Sequence, residues 1–149
     1  MSRRNQKKLN KTLNMKRFFI VNLFIATLFA MASCTSNTPG SNAVKFNRLI
    51  KQGKINEAVQ MVRVEGADSI EIANHTAAVR DIVENRIAAR YAEKGGVRRV
   101  KLVEEKPLKN GGVYIEVQIR YKNGTSEKFR DTFVQDTSGQ WKATLERFW

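Results

Sequence analysis

The feature that most constrains the fold is a nine-residue alternation of apolar and more polar side chains from Val113 to Tyr121. The apolar positions are Val113, Ile115, Val117, Ile119 and Tyr121. Successive side chains of a strand point to opposite faces, so this spacing predicts a β-strand with one buried and one solvent-facing side. Such a strand needs neighbouring strands and a layer that covers its apolar face.

Three further strands are predicted around it, and tight turns separate all four. The ranges are Val97–Glu105, Thr125–Gln135 and Trp141–Trp149, and the turns are Asn110-Gly111-Gly112, Asn123-Gly124 and Asp136–Gly139. The last strand is indicated by the alternation of Trp141, Ala143, Leu145 and Trp149 with polar residues. Asn-Gly favours the type I′ turn of a hairpin. Four consecutive strands with short turns predict an antiparallel meander.

The segment before the strands has helical spacing. Val44, Phe46, Leu49 and Ile50 predict a first helix, which Ser41 or Asn42 can cap. Gln52-Gly53-Lys54 is expected to end it, since glycine readily adopts the left-handed conformation found after helices. A second short helix is predicted over 55–62. The connector Arg63–Ala67 has room for one short edge strand.

A long helix is predicted from Ser69 to Glu93. Asp68 can cap it, with Glu71 three residues further on as in a capping box. Its apolar stripe is Ile72, Thr76, Val79, Val83 and Ile87, flanked by Ala73 and Tyr91. Gly95-Gly96 ends the helix, which we expect to lie across the sheet. The predicted fold class is therefore α+β, with helices packed on a four-stranded antiparallel sheet.

The N-terminal segment has the order of a secretory signal. Met15-Lys16-Arg17 precedes the apolar run Phe18–Ala32, and small residues lead to Cys34, the only cysteine. With cysteine at the cleavage point, it resembles the lipobox of bacterial lipoproteins, which implies lipidation of Cys34. The alternative is a transmembrane anchor, but the run is shorter than the roughly 20 residues a bilayer requires.

These features give the domain organisation and the localisation. Residues 1–33 are predicted to be a signal peptide, with Met15 as an alternative start, 34–42 a lipidated cysteine and polar tether, and 43–149 one domain. Seven of the 27 basic residues and none of the 14 acidic ones precede Cys34, so the exported chain keeps 20 basic residues and a net charge of +6. Such a domain suits anionic headgroups or acidic glycans better than nucleic acid, although solvated surface charge explains the same balance.

The order of motifs from the first helix to Gly139-Gln140-Trp141-Lys142 resembles a known family. It is similar to the lumazine-binding-like domain of unknown function in lipoproteins of Bacteroides-type bacteria. The resemblance covers about residues 40–149 and rests on the turn Gln52-Gly53-Lys54, on Gly95-Gly96 and on the last strand. It implies the curved, cone-shaped sheet of the nuclear transport factor 2-like (cystatin-like) superfamily. It also implies the cell envelope, and we expect the outer membrane on the periplasmic side. It supplies no catalytic residues.

Arg86 and Arg90 are the candidate ligand-binding residues. They lie one turn apart beside the apolar stripe of the long helix, where they can attract an anionic group at the mouth of a pocket. The alternative is a salt bridge to Glu93 or to the sheet. The sequence has no metal-ligand spacing, phosphate loop or nucleophile motif, so no cofactor or metal is predicted. A small apolar or anionic ligand and the membrane are the expected partners.

Three groups are weaker candidates for acid–base chemistry. His75, the only histidine, is more typical of a partly exposed helix position. Glu104 and Glu105 are adjacent in a strand and point to opposite faces, so they cannot act as a pair. Asp131 shares a strand face with Phe129 and Phe133, which allows burial, but pairing with a cation of a neighbouring strand is the alternative.

The expected function is that of a non-catalytic envelope lipoprotein with a binding or scaffolding domain. The alternative is an enzyme of the ketosteroid-isomerase-like type, which needs a buried acid or base in its pocket. Asp68-Ser69-Ile70 also resembles an O-glycosylation motif of exported proteins in this bacterial group, which makes Ser69 a candidate acceptor. A helix cap explains the same Asp and Ser.

Overall fold

The computed structural model describes residues 37–148, and both Cys34 and Trp149 lie outside this range. The first helix, α1, spans Pro39–Lys51 and begins four residues before the predicted start of the domain at residue 43. Its cap is Thr38, which exchanges hydrogen bonds with Ser41, so the expected capping by Ser41 or Asn42 is wrong. Pro39 suits the first helical turn because its missing N–H has no partner there in any helix.

The connection to the long helix follows the predicted breaks. Gly53 has φ 72° and ends α1 as expected, and α2 spans Ile55–Val59. The edge strand predicted within 63–67 is reduced to one parallel bridge from Val62 to Ala143. Arg63 N–H donates to the Ala143 carbonyl at 2.8 Å and thereby ties this connector to the end of the sheet.

The long helix runs from Ser69 to Glu93 as predicted, but its middle is wound differently. It consists of α3 (Ser69–Asp81), a π-helical segment (Ile82–Ala88) and α4 (Ala89–Glu93). The predicted stripe is wrong at its start, because Ile72 is 45% exposed and Thr76 only half-buried. The wider π turns bring Ile82 and Tyr91 into the buried set with Val79, Val83 and Ile87.

The sheet is the predicted antiparallel meander, in the order β1-β2-β3-β4. Its strands are β1 (Val97–Pro107), β2 (Val113–Tyr121), β3 (Ser126–Gln135) and β4 (Trp141–Ala143). All five apolar positions of β2 are buried, which confirms the predicted inner face, whereas Glu116 on the face predicted to be solvent-facing is buried as well. Two register shifts between β1 and β2 interrupt the regular pairing. The α+β fold with helices on one face of the sheet is confirmed.

The end of the chain departs from the predicted fourth strand. Pairing stops at Ala143, Leu145 takes a left-handed φ of 53°, and a 3₁₀ helix covers Glu146–Phe148. Leu145 is fully buried, so its burial was correctly predicted, whereas its predicted extended backbone conformation is wrong. The short β4 leaves the first part of β3 with β2 on one side and no strand on the other, and the site described next lies at this open edge.

Candidate functional site

A cleft of about 320 Å³ lies between the long helix, β3 and the C-terminal 3₁₀ helix. Phe129 and Phe148 stack with ring centroids 6.4 Å apart, and Ile87 and Ile119 add further apolar lining. Polar groups lie at the same cleft. They are Arg86, Arg90, Tyr121, Glu127 and Arg147. An apolar pocket with a few converging polar groups is the usual form of a small-molecule site.

The unpaired edge of β3 explains why a cleft exists here. β4 pairs only with Phe133, Val134 and Gln135, so the first part of β3 has β2 on one side and no strand on the other. Lys128 and Arg130 border the cleft although both side chains bond to Glu116 on the outer face. They therefore meet the cleft through the edge of the strand, where their backbone polar groups are available to a ligand.

Arg86 and Arg90 both lie at this cleft, as the sequence predicted. Arg90 forms a bidentate ion pair with Glu127, with an Nε–Oε2 distance of 2.7 Å and an Nη2–Oε1 distance of 2.6 Å. Arg86 Nη1 donates to the Phe148 carbonyl at 2.9 Å. The alternative of pairing with the sheet thus holds for Arg90, whereas Arg86 has no carboxylate within salt-bridge distance among residues 37–148. Their role toward a ligand stays a prediction.

Glu127 organises the charged side of the cleft. It accepts from Arg90 and also from the Tyr121 hydroxyl at 3.0 Å. The hydrogen bond from Arg90 is the main cause that lowers the pKa of Glu127. Burial is the main cause that raises the pKa of Tyr121. At neutral pH the group is therefore an ionised carboxylate held by a neutral phenol and a guanidinium.

A second polar pair lies behind the cleft. The Tyr91 hydroxyl donates to Asn47 Oδ1, and Asn47 Nδ2 donates to the Ala43 carbonyl at 2.8 Å. Both side chains are buried, and burial raises the pKa of Tyr91 well above its usual value. This hydroxyl is already bonded, so its contribution to the cleft is the ring, which meets Tyr121 edge-on at 6.0 Å.

Asp131 is buried on the inner face, and the predicted alternative of pairing with a cation is wrong. Its side chain is surrounded by donors: Oδ1 accepts from Thr132 N–H at 2.9 Å and from the Thr144 hydroxyl at 3.1 Å, and Oδ2 from Leu145 N–H at 3.0 Å. Desolvation is the main cause that raises the pKa of Asp131 from 3.8 to about 6. The carboxylate thus fastens the left-handed turn at Leu145.

His75 lies at a different cleft, of about 310 Å³, formed by the connector, the long helix and the C-terminal segment. Its Nδ1 donates to the Glu65 carbonyl, and the ring is exposed. Glu146 and Thr144 line the same cleft, but neither Asp131 nor a tyrosine does. Asp131 therefore does not line the cleft of His75, although its hydrogen-bond partner Thr144 does.

Ser69 is exposed at the first position of α3. The Asp68 carboxylate caps the helix and accepts from Ile70 N–H at 2.9 Å and from Glu71 N–H at 2.8 Å. The predicted reciprocal bond is displaced by one residue, because Glu71 accepts from Ala67 N–H at 2.7 Å instead of from Asp68. The cap thus accounts for Asp68 and leaves Ser69 accessible. Cys34, the predicted lipidation site, is outside the described residues.

Glu127, Tyr121 and Asn47 were not predicted as site residues from the sequence. Glu127 could have been found, because it has the same parity in β3 as Phe129, Asp131 and Phe133 and so faces the helices. Asn47 gave no signal, since a single polar residue on a helix is normally read as solvent-facing.

Neither a metal centre nor a membrane span is found in the described part of the chain. Residues 37–148 contain no group of three or more His, Cys, Asp or Glu side chains placed to hold a metal ion. No helix in that range combines the length and apolar character needed to cross a bilayer.

Comparison with known proteins supports the fold at a distance. No family model matches the sequence, and no curated protein does. The structure is similar to the crystal structure of a Campylobacter jejuni protein provisionally described as an NTF2-like transpeptidase. The TM-score is 0.59 at 16% sequence identity, over 70% of this chain and 94% of the other. At that identity the likeness concerns the fold alone, and the fold of this chain is NTF2-like.

Proposed function

We propose that the protein is a non-catalytic lipoprotein of the cell envelope whose NTF2-like domain binds a small ligand in the cleft beside β3. The observation that carries the proposal is the cleft, which is lined by the buried ring of Phe129, the half-buried ring of Phe148 and the exposed cations Arg86 and Arg147. The export signal and Cys34 support the envelope, and the periplasmic face of the outer membrane is the expected location.

The chemistry of the cleft favours a ligand with an apolar body and one anionic group. Phe129, Phe148 and Ile119 offer a surface for rings or alkyl chains. The charge of Arg90 is neutralised by its ion pair with Glu127, so Arg90 contributes little net attraction for an anion. Its role is to hold the Glu127 carboxylate, which would otherwise repel the anion. Arg86 and Arg147 are the rim cations without a carboxylate partner among residues 37–148. We therefore assign the anionic group of the ligand to them.

The placement of the titratable groups supports a binding role over catalysis. A general base must reach the reacting atom from within the ligand site. Asp131 is enclosed by three donors and does not line the cleft. His75 lies at the other cleft. In the cleft itself the carboxylate is Glu127, whose lowered pKa makes it a weak base.

Retention of the natural ligand tests the binding role. The protein purified from the envelope is weighed by native mass spectrometry, as wild type and as the double variant Arg86→Gln and Arg147→Gln. We expect a small-molecule adduct on the wild type that is at least about tenfold less abundant on the variant, since two charge-assisted contacts are lost. Lys45→Gln, an exposed residue of α1 away from the cleft, is the matched control. Equal adducts on all three proteins would contradict the proposed site.

The second candidate function is the ketosteroid-isomerase-like enzyme, which a buried carboxylate of raised pKa favours. The transpeptidase description of the structural neighbour is another enzymatic proposal. A turnover that disappears in Asp131→Asn or in His75→Ala, while the variant remains folded, would establish catalysis and overturn the non-catalytic proposal.

Lipidation is tested by labelling cells with radioactive palmitate. We expect label on the wild type, and for Cys34→Ala neither label nor removal of the signal peptide. Stable attachment follows from several acyl chains together, because each buried methylene contributes about 0.8 kcal/mol and a single chain binds only marginally. An unlabelled, freely soluble wild type would contradict this part of the proposal. Glycosylation of Ser69 is tested separately, by comparing the wild type with the variant Ser69→Ala from the same cells: loss of a glycan in the variant would identify Ser69 as the acceptor.

A further inference from the structure

A cluster of five basic side chains lies at the β1 edge of the sheet, where the end of α1 meets the start of β1. Arg48 and Lys51 come from the last turn of α1, and Arg98, Arg99 and Lys101 from β1. They line a cleft of about 270 Å³, and all five are exposed. We call this set the basic cluster.

A bulge in β1 brings the basic side chains of the cluster together. The register of β1 against β2 shifts between Val97 and Arg99, so Arg98 is an extra residue without a partner. Such a bulge breaks the strict alternation of faces, and it lets two consecutive arginines reach solvent. Lys51 Nζ donates to the Arg98 carbonyl at 3.2 Å, which fixes the helix end against the bulge.

No carboxylate of the described residues 37–148 lies within salt-bridge distance of these cations. None of the five takes part in a salt bridge within residues 37–148, whereas Arg90, Lys128 and Arg130 are all paired. Glu105 of β1 lies at the other end of α1, close to Gly40. Gly40 is 11 residues from Lys51, so at 1.5 Å per residue this end is about 16 Å away.

The usual structural reason for cations at a helix C-terminus does not account for the cluster. Basic side chains there can hydrogen-bond the last carbonyl groups. In α1 the carbonyls of Arg48, Leu49 and Ile50 already accept from backbone N–H groups of 52–54. These three carbonyl groups are therefore satisfied without the basic side chains, which leaves mainly the weak attraction to the helix dipole.

The cluster also works against the stability of the sheet. Arg99 lies directly opposite Arg120 in the pairing of β1 with β2, and both are exposed. Like charges at directly opposed positions destabilise an antiparallel pair. A bound polyanion would offset this repulsion. Binding therefore explains why the cations lie together, which the stability of the folded domain alone does not.

We propose that the basic cluster is a binding site for a phosphate-bearing anion. Three arginines among five cations favour phosphate, because the planar guanidinium donates two parallel hydrogen bonds to its oxygens. A multiply charged group also matches several cations better than a single carboxylate does. This site is separate from the cleft beside β3, and it does not depend on the ligand proposed there.

The test is a calorimetric titration of the full chain in uncharged detergent micelles with inorganic pyrophosphate. We expect binding that weakens at least about tenfold in the double variant Arg98→Gln and Arg99→Gln, since both residues are exposed and their loss leaves the core intact. The matched control is Lys106→Gln with Lys109→Gln, which removes two exposed cations near the next turn. Its affinity should change less than about twofold.

Two further arms complete the experiment. Micelles doped with phosphatidylglycerol identify the source of the phosphate. If a lipid headgroup occupies the basic cluster, the doped micelles should weaken pyrophosphate binding relative to uncharged micelles. Unchanged binding indicates a free anion. Without ligand, Arg99→Gln should leave Tm equal or higher, because it relieves the repulsion with Arg120. No measurable pyrophosphate binding, equal weakening in both double variants, or a Tm lowered by several degrees in ligand-free Arg99→Gln would each overturn the proposal.

Discussion

Single residues decide how the C-terminal turn is held. Leu145 is fully buried in a left-handed conformation, which costs a non-glycine residue roughly 1–2 kcal/mol. The Asp131 carboxylate offsets this cost by accepting the Leu145 N–H. The same carboxylate is 5% exposed, and desolvation penalises its ionised form. Its hydrogen bonds and its burial therefore act in opposite directions on its pKa.

This conflict predicts a pH dependence of the free energy of unfolding. The raised pKa of Asp131 means that the folded protein binds its proton more tightly than the unfolded chain. Stability from this group is therefore complete below pH 3.8 and is lost as the pH rises through about 6. The difference between 3.8 and about 6 corresponds to about 3 kcal/mol in all, of which about 2 kcal/mol falls between pH 4.5 and 7. Urea denaturation at pH 4.5, 5.5 and 7 measures that part.

Asp131→Asn provides the comparison, because its side chain does not titrate. The variant should lose one acceptor and be less stable at pH 4.5, yet its stability should not fall toward pH 7 through this group. Glu116, Glu127 and Asp136 have lowered pKa values, so their contributions are lost at lower pH and affect both proteins alike. Parallel curves for the two proteins would show that Asp131 does not titrate in this window.

At the scale of elements, the sheet and the boundaries of the long helix were predictable, because local periodicity determines both. The alternation in β2 reflects one buried face, and its register follows from short turns. The π segment at Ile82–Ala88 and the bend at Leu145 were not predictable in this way. Both depend on tertiary contacts: the fit of helix to sheet, and the bond from Asp131. The cleft shares this origin, since it exists only because β4 ends at Ala143.

The register of β2 gives a stability prediction. Val117 is fully buried, whereas Gln118 is exposed on the other face. Val117→Asp places an unpaired charge in the core and should lower the free energy of unfolding by at least about 3 kcal/mol, enough to unfold a marginal domain. Gln118→Asp should change it by less than about 0.5 kcal/mol. Circular dichroism during heating measures both, and similar Tm values for the two variants would refute the register.

At the scale of the whole molecule, the charge of the chain is distributed in three distinct ways. Glu116 on the outer face of the sheet binds Lys128 and Arg130, and the first of these is the main cause that lowers its pKa. The cleft beside β3 combines a neutralised arginine with cations that lack a carboxylate partner in the described range. The basic cluster has no carboxylate partner there. Composition indicated only a net positive charge, whereas its partition into these sites required the fold.

The cleft beside β3 is proposed to bind a small molecule with an apolar body and an anionic group. The most direct measurement is a titration of the ¹⁵N-labelled protein with 8-anilinonaphthalene-1-sulfonate, followed by backbone amide chemical shifts. The naphthyl ring matches the base of the cleft and the sulfonate its rim. We expect saturable chemical-shift changes confined to residues 86–91, 119–121, 127–130 and 147–148. The double variant Arg86→Gln with Arg147→Gln should bind at least about tenfold more weakly. Shifts centred on another surface, or equal affinity in that variant, would contradict it.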